Sequence, residues 1–514
     1  MSPSERVVIV DYGSQYTQLI ARRVRELKVY CEIVPPWVET ERVRAGSPGA
    51  LILSGGPASV THPEAPQINE EILDLGLPLL GICYGQQLLV QHLGGRVEPA
   101  DEREYGRAEL ELSAADEPLF QGVPARSVVW MSHGDRVAKL PPGFRVIGTS
   151  SNSPFAAVRG PGEGIYGLQF HPEVFHSEHG TRILENFLGS VAGLRGSWTM
   201  DEFIGQQTRE LTERIGDGRV ICGVSGGVDS SVVAVLLHRA IGPHLHCFFV
   251  DNGLLRSGEA EEVEKIFKSD LKIPIKVIDA KDDFISRLEG AIDPEAKRVR
   301  IGHCFVEVFE REAASIPDAR FLAQGTLYPD VIESVSVWGP SATIKTHHNV
   351  GGLPENMHLE LVEPLRELFK DEVREVAEKL GVPDALWQRH PFPGPGLAIR
   401  VVGEVTRENL EKLRAADRIV IEEIRAAGLY AGLWQAFAVF LPVRSVGVMG
   451  DARTYENAIC VRCVSSRDAM TADWADLPRE VLASISNRII NEVPGINRVV
   501  YDISSKPPAT IEWE

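Results

Sequence analysis

This chain of 514 residues has few long apolar runs, no excess of basic side chains and an odd number of cysteines. No apolar run approaches the 18 residues that a membrane-spanning helix needs, so no membrane partner is expected. Lys and Arg number 53 against 72 Asp and Glu, a net charge of -19, which argues against broad nucleic-acid binding because that requires a basic face. Anionic small substrates remain compatible, since a few basic side chains or a cation can make a local positive site.

The seven cysteines do not resemble a disulfide framework, because their number is odd and the chain is long. A reducing compartment fits this usage better. The first ten residues carry no basic segment followed by an apolar stretch, so we expect no signal peptide. The sequence therefore predicts a cytoplasmic protein, and nothing in it indicates an organic prosthetic group.

The length of 514 residues predicts about three domains, at roughly 150 residues each. Apolar strands alternate with helical segments over residues 1–195 and again over 196–390, which predicts two successive α/β domains with mainly parallel sheets. The stretch Pro391–Gly396 cannot form regular helix or a central strand, so it marks a boundary or a rigid loop. Residues 391–514 then have the pattern of a small α+β domain.

A cysteine stands at a predicted strand-to-helix junction in the first domain. The segment Gly81-Ile82-Cys83-Tyr84-Gly85 has the pattern of a nucleophile elbow with sulfur in place of oxygen. The glycines allow a tight turn, and the helix N-terminus favours the thiolate form of Cys83. A buried structural cysteine is the alternative for this motif taken alone.

Two further segments supply what such a nucleophile needs. In His171-Pro172-Glu173 the first and third side chains point to the same side of an extended chain, so Glu173 can orient His171 as the general base. The turn Ser54-Gly55-Gly56 follows a predicted strand, and the N–H groups of Gly56 and Tyr84 can face a developing oxyanion. A plain turn at a strand end is the alternative for the second segment.

These motifs, in this order, resemble the class I glutamine amidotransferases over residues 6 to about 190. The resemblance implies that Cys83 attacks the side-chain amide of glutamine and forms a thioester with release of ammonia. It also implies that Gln87 binds glutamine, and that the segment Trp130–Asp135 holds the amino-acid end, with Asp135 as a contact.

A second motif opens the next domain, where a strand runs into a glycine-rich loop and a helix. A loop of this kind binds phosphate through free N–H groups and the helix dipole. Asp229 can hold Mg²⁺, whereas the lysine of a Walker A loop is missing. The predicted ATP-binding loop comprises Ser225, Gly226, Gly227, Val228, Asp229, Ser230 and Ser231.

This loop resembles that of the ATP pyrophosphatases, which release pyrophosphate and let the substrate attack the α phosphorus. The resemblance implies that Val250 and Gly325, at the ends of later strands, also bind ATP. Asp330 and Glu333 are carboxylates that could assist Asp229 with Mg²⁺. Solvated loop acids are the alternative for these two residues.

Further segments along the whole chain resemble the GMP synthase family in its domain order. They are Asp293–Arg298, His347–Pro354, Arg389–Arg400, Val446–Arg453 and Lys506–Glu514. Ala509 and Met449 depart from the family, where many relatives have Gly and some have Gln. The resemblance implies a homodimer through residues 391–514 and an acceptor, XMP, bound by Arg298, Pro393, Gly394, Arg453, Lys506 and Glu512.

The implied reaction joins the two domains' chemistry. The C2 oxygen of XMP attacks the α phosphorus of MgATP, pyrophosphate leaves, and ammonia from glutamine displaces AMP to give GMP.

Two alternatives stay open. One is another glutamine-dependent ATP pyrophosphatase such as a NAD synthetase, which carries a different glutaminase and lacks the segment Lys506–Glu514. The other is a regulatory binding protein that has lost glutaminase activity, against which Cys83, His171 and Glu173 argue.

Overall fold

The computed structural model describes residues 5–114, 116–162, 164–335, 359–449, 452–466 and 471–514, with only the backbone at 101–103, 333–335 and 449. The chain divides into two compact units. The first runs to Phe203 and includes the described stretch 329–335, and the second contains the other described residues from Ile204 onward. Within the described residues, no helix combines the length and apolarity that crossing a membrane requires.

The first unit is built on one nine-stranded sheet. Its strands are β1 Arg6–Val10, β2 Tyr30–Val34, β3 Ala50–Leu53, β4 Leu79–Ile82, β5 Arg96–Leu112, β6 Arg126–Lys139, β7 Arg145–Thr149, β8 Ala157–Arg159 and β9 Ile165–Leu168. Its helices are α1 Thr17–Glu26, α2 Thr40–Ala45, α3 Glu70–Leu73, α4 Tyr84–His92 and α5 Gly180–Asn186, and α6 Met200–Ile215 continues into the second unit.

The strand order in this sheet is β2-β1-β3-β4-β9-β8-β7-β5-β6. The strands from β2 to β9 pair in parallel, as predicted, and those from β9 to β6 pair antiparallel. Strands β1, β3 and β4 are buried almost throughout, because helices cover both faces of a parallel sheet. The carboxyl ends of β3, β4 and β9 therefore lie side by side, and the predicted triad and glycine turn follow these ends.

The second unit contains a parallel sheet with the order β12-β11-β10-β13-β14. Its strands are β10 Arg219–Val224, β11 Leu245–Asp251, β12 Ile275–Asp279, β13 Ala319–Ala323 and β14 Glu360–Val362. The helices along this part of the chain are α7 Val228–Ile241, α8 Glu259–Lys265, α9 Lys281–Leu288, α10 Pro294–Ala313, α11 Tyr328–Val335, α12 Lys370–Lys379 and α13 Asp384–Trp387.

A third sheet follows a short 3₁₀ helix at Gly396–Arg400. It comprises β15 Gln435–Met449, β16 Ala452–Ser465, β17 Asp473–Trp474 and β18 Ile496–Tyr501, with helices α14 Arg407–Ala426 and α15 Arg479–Glu492. Strands β15 and β16 form a long antiparallel hairpin, and β18 joins β16 in parallel. One hydrophobic cluster extends from Ile221 to Ile496, so the predicted division between residues 390 and 391 lies within the second unit and stays a prediction.

Candidate functional site

Cys83 occupies a sharp turn between β4 and α4. Its backbone has φ 51° and ψ -105°, which is uncommon for a residue other than glycine. A Cβ added at Gly85 would lie 2.4 Å from the carbonyl oxygen of Leu53, and one at Gly81 would lie 2.8 Å from the main-chain nitrogen of Gln86. The turn therefore requires both glycines, as expected of a nucleophile elbow. Helix α4 begins at Tyr84, directly after the cysteine.

His171 lies between Cys83 and Glu173. Its Nδ1 is 2.6 Å from Glu173 Oε1, and both side chains are buried. Burial by itself lowers the pKa of His171, but the charges of Glu173 and Cys83 and hydrogen bonds to both outweigh it and hold that pKa well above its usual value. This arrangement favours an imidazolium next to the cysteine sulfur.

The main chain of His171 is fixed by the antiparallel half of the sheet. Its N–H donates to the carbonyl oxygen of Trp130 in β6 at 2.9 Å, and its own carbonyl accepts from Ser177 Oγ at 2.6 Å. The ring of Tyr16 meets the imidazole edge-on, with centroids 5.0 Å apart. Neither Tyr16 nor Ser177 was predicted, since neither lies within a motif.

The glycine turn after β3 lies against the same groups. A Cβ added at Gly55 would be 3.1 Å from His171 Cε1, and one at Gly56 would be 3.1 Å from Tyr84 Cγ. The N–H of Tyr84 belongs to the first residue of α4 and so has no carbonyl of its own helix to bind. The structure thus brings the elbow, the base and the glycine turn together at one edge of the sheet.

The side-chain amides of Gln87 and Gln169 connect the main chain at Asp135 to the sulfur of Cys83. Gln87 Nε2 donates to the carbonyl oxygen of Asp135 at 3.0 Å and to Gln169 Oε1 at 3.1 Å. Gln169 Nε2 lies 3.7 Å from Cys83 Sγ. Sequence reasoning missed Gln169, although its position two residues before His171 at the end of β9 was a usable signal.

A buried histidine–glutamate pair lies behind Asp135. His133 Nδ1 is 2.9 Å from the carbonyl oxygen of Asp135, and Nε2 is 3.2 Å from Glu104 Oε2. Ser150 Oγ donates to Glu104 Oε1 at 3.1 Å. These bonds fix the main chain at Asp135, where the predicted glutamine contact lies.

The predicted phosphate loop connects β10 to α7 in the second unit. Gly226 has φ 77°, a left-handed conformation that glycine adopts readily. The N–H of Ser225 donates to Ser230 Oγ at 3.1 Å, and Ser231 Oγ donates to the carbonyl oxygen of Gly227 at 2.8 Å. Helix α7 begins at Val228, so the predicted loop Ser225–Ser231 includes the helix's first turn.

Asp229 in this loop pairs with a lysine distant in sequence. Lys370 Nζ, at the start of α12, lies 2.7 Å from Asp229 Oδ1 and 2.5 Å from Oδ2. A Cβ added at Gly325 would be 3.4 Å from Asp229 Cβ, so the strand end after β13 lies against the loop. Lys370, which the sequence pattern did not indicate, therefore places a cation beside the loop. Val250 lies near the end of β11, the neighbour of β10.

The side chains of Arg298 and Glu512, which are predicted to contact XMP, are hydrogen-bonded inside the second unit. Arg298 Nη2 donates to the main-chain oxygen of Glu514 at 2.6 Å. Glu512 accepts two hydrogen bonds from Arg400, from Nε at 3.0 Å and from Nη2 at 2.8 Å. Sequence reasoning had assigned neither of these partners.

The other predicted acceptor contacts lie on loops or strand ends. The main chain of Lys506 pairs with Ala472 at 2.7 and 3.1 Å, Gly394 is exposed before the 3₁₀ helix, and the carbonyl of Pro393 accepts from the N–H of Gly396. Arg453 is exposed on β16. Asp330 lies in α11, and its predicted place at the metal, like that of Glu333, stays a prediction. The segment 347–354 and the side chain of Met449 lie outside the described residues.

The seven cysteines are all free and buried. Cys460 and Cys463, which have the spacing of a metal or redox pair, lie within the hydrophobic interior around β16.

Three family models match the chain in succession. Residues 8–191 match the class-I glutamine amidotransferase model, 201–302 match NAD synthase, and 422–513 match the GMP synthase C-terminal domain. The second match covers the phosphate loop, and the third argues against the NAD synthetase alternative.

Curated relatives match over the full length. GMP synthase [glutamine-hydrolyzing] of Solidesulfovibrio magneticus is 59% identical and that of Nitratidesulfovibrio vulgaris strain DP4 is 58% identical, each over 100% of both chains. The enzyme of the same name from Thermomicrobium roseum is 59% identical over 100% of this chain and 97% of its own. With these matches and the three domain models in this order, the chain belongs to the glutamine-hydrolysing GMP synthases, ligases that use glutamine and ATP to convert XMP to GMP.

Proposed function

We propose that Cys83, His171 and Glu173 form the catalytic triad of the glutamine-hydrolysing half of this reaction. The observation that carries the proposal is the position of Cys83 at the strained start of α4, with His171 held between it and Glu173. His171 takes the thiol proton, and the sulfur attacks the amide carbon of glutamine. When the C–N bond breaks, His171 returns the proton to the leaving nitrogen, so ammonia departs and a thioester remains. Water, activated by His171, then releases glutamate and the thiol.

The groups around the triad support binding of glutamine and of the oxyanion. The N–H groups of Tyr84 and Gly56 face the negative oxygen that forms when the sulfur attacks. Gln87 and Asp135 hold the substrate. The bonds from Gln87 and His133 to the carbonyl oxygen of Asp135 keep that segment in place before glutamine arrives.

For the synthetase half, we propose that the loop Ser225–Ser231 binds the ATP phosphates. The N–H groups at the start of α7 and the hydroxyls of Ser225 and Ser230 are donors to phosphate oxygens. Gly325 lies against the loop, Val250 lies near the adjacent strand end, and Lys370 is a cation beside Asp229. The C2 oxygen of XMP then attacks the α phosphorus, and the bond to pyrophosphate breaks.

The residues present fit a magnesium ion that arrives with ATP. Asp229, whose two carboxylate oxygens here accept from Lys370, carries the ligand type that Mg²⁺ prefers, and this ion is commonly held by one or two carboxylates together with substrate phosphates. Within the described residues, no cluster of three or more His, Cys, Asp or Glu side chains forms a dedicated metal cage. When bound, Mg²⁺ would neutralise phosphate charge, and Asp330 is a second proposed ligand.

We propose that XMP is bound by Arg298, Lys506 and Glu512, with Pro393, Gly394 and Arg453 around them. Arg298 and Lys506 carry the positive charge that a phosphate or a purine oxygen requires. The existing bonds from Arg298 to Glu514 and from Arg400 to Glu512 support the proposal, because they orient the two side chains.

The homodimer is proposed to form through the β15–β16 hairpin. Val446 and Val448 lie on the same face of β15, and Tyr455 pairs with Val446 across the hairpin. All three are exposed, and an apolar strip of this kind is typical of a protein contact. Val446→Glu should convert a dimer to a monomer in sedimentation equilibrium, and an unchanged mass would reject this surface.

A cytoplasmic location is proposed from the seven free cysteines, since a reducing environment preserves them. Cell fractionation tests it directly. Recovery of the protein outside the cytoplasmic fraction would reject the proposal.

The residue assignments are tested in one assay with XMP, ATP, glutamine and varied Mg²⁺. The parent should release AMP and pyrophosphate, and Asp229→Asn should lower GMP formation by orders of magnitude and change its Mg²⁺ dependence. Asp282→Asn is the matched control, because Asp282 is also a surface carboxylate paired with a basic side chain, Arg407. Parent-like Mg²⁺ dependence in Asp229→Asn would overturn the metal assignment.

A further inference from the structure

We infer that Gln169 is a further catalytic residue of the glutaminase half-reaction, which holds an N–H donor against the sulfur of Cys83 and stabilises the thiolate. The inference rests on the proposed role of Cys83 as nucleophile. It goes beyond the triad, because it assigns a role to a side chain outside the Cys-His-Glu set.

Among the residues that the structure describes, Ser132 and Gln169 place polar groups near the sulfur of Cys83, in addition to His171. The thiol lies 3.5 Å from the carbonyl oxygen of Ser132, an acceptor that suits the protonated form. Gln169 Nε2 lies 3.7 Å from the same sulfur, within hydrogen-bond range for that atom, and suits the deprotonated form. Because Gln169 is only 1% exposed, water does not compete for this contact. The two neighbours therefore act in opposite directions on the proton of Cys83.

The orientation of the Gln169 amide follows from its partners. The carbonyl oxygen of Asp135 can only accept, so Gln87 must present its NH₂ group there. The second hydrogen of that NH₂ group points to Gln169, which must accept it with its side-chain oxygen. The NH₂ group of Gln169 is then left facing the sulfur. A flipped Gln169 would place two NH₂ groups against each other and an oxygen against the thiolate.

The backbone holds Gln169 at this distance. Its N–H donates to the carbonyl oxygen of Ala156 at 2.9 Å, and the preceding residue, Leu168, accepts from the N–H of Cys83 at 2.7 Å. The donor and the nucleophile are therefore carried by neighbouring strands, β9 and β4, in direct contact. A side chain on such a support can stabilise charge without reorganising during the reaction.

The test is the pH profile of Cys83 alkylation by iodoacetamide, followed by mass spectrometry of the peptide that contains Cys83. Gln169→Met keeps the length of the side chain and removes the donor, and Gln169→Glu keeps the shape and places an acceptor opposite the sulfur. We expect the midpoint of the profile to move to higher pH by about one unit in Gln169→Met, as a tenfold smaller thiolate fraction requires, and further in Gln169→Glu.

Turnover should follow the same pattern. Glutamine-dependent GMP formation at neutral pH should fall about tenfold in Gln169→Met and recover as the pH rises, since more thiolate forms. GMP formation from ammonium should be unchanged in both variants, which also shows that the chain is folded. Gln86→Leu is the matched control: Gln86 is a buried glutamine that donates to Phe155 at 2.8 Å, and its loss should leave the alkylation midpoint in place.

The outcomes separate this inference from the proposed nucleophile. An unchanged midpoint in Gln169→Met and Gln169→Glu, with alkylation still at Cys83, would overturn the role of Gln169 and leave the triad intact. A Cys83→Ala variant that still hydrolyses glutamine would overturn the nucleophile itself. A midpoint that moved equally in Gln86→Leu would mean that packing, not the donor, sets the reactivity.

Discussion

Glu514 neutralises a buried lysine, and Glu514→Gln should destabilise the second unit by about 3–5 kcal/mol, the usual cost of breaking a buried ion pair. The side chain of Lys297 is 0% exposed and that of Glu514 is 8% exposed. Lys297 Nζ donates to the carbonyl oxygens of Ala398 at 3.3 Å and Val401 at 2.7 Å, and also to Glu514. Two carbonyls provide hydrogen bonds but no opposite charge.

The pKa of Lys297 explains why the cost has an upper bound. Burial lowers this pKa, while the hydrogen bond and charge of Glu514 raise it, and the net direction is downward. Without Glu514 the pKa falls further, so the lysine can lose its proton instead of remaining as an unpaired cation. At high pH, the destabilisation caused by Glu514→Gln should therefore lie near the lower end of the range of about 3–5 kcal/mol.

The assay is urea unfolding, read locally by hydrogen exchange of the peptides of α10, where Lys297 lies. Lys297→Met combined with Glu514→Gln should recover much of the loss, because no buried charge remains unpaired. Glu492→Gln is the control, since Glu492 pairs with Arg488 at the surface, and it should cost less than about 1 kcal/mol. A cost for Glu514→Gln equal to that of Glu492→Gln, or strict additivity of the two changes, would refute the reasoning.

Two further predictions concern a histidine and a glycine. His390 is stacked on Tyr430, and burial lowers its pKa to about 4. The contribution of His390 to the free energy of unfolding should therefore be full above the unfolded pKa of about 6.5 and fall by up to about 3 kcal/mol as the pH drops to 4. His390→Gln should flatten the slope of the unfolding free energy against pH. Gly85→Ala would place a Cβ 2.4 Å from Leu53 O, so it should lower the free energy of unfolding by about 1–3 kcal/mol and abolish glutamine-dependent turnover. Gly189→Ala is the control, because a Cβ at that position has no atom within 4 Å. Acid-insensitive unfolding of the parent, or normal glutamine turnover in Gly85→Ala, would contradict them.

The sequence predicted local features of the fold well and distant contacts poorly. The strand predicted before the turn Ser54-Gly55-Gly56 is observed as β3, because a short apolar run bounded by a glycine turn favours an extended segment. The first turn of α7 was predicted as part of the loop Ser225–Ser231, since its polar residues do not show a helical pattern. The antiparallel pairing of β5 with β6 was not predicted, because an alternating pattern shows a half-buried strand but not its partner.

The candidate site shows the same limit. Cys83, His171 and Glu173 could be named because their spacing and turn chemistry have a local reason. Lys370 lies 141 positions from Asp229, and no periodicity connects them. The partners of Arg298 and Glu512 were missed for the same reason, as only packing brings Glu514 and Arg400 to them.

The central claim is that the two chemistries are separate and that the first depends on Cys83. Cys83→Ala should be compared with the parent for GMP formation from glutamine and from high ammonium at mildly alkaline pH. The account predicts that the variant loses glutamine-dependent synthesis to background and keeps ammonium-dependent synthesis, because free ammonia can reach the adenylylated XMP without a thioester. Loss of both activities in a folded variant, or retention of glutamine-dependent synthesis, would contradict it.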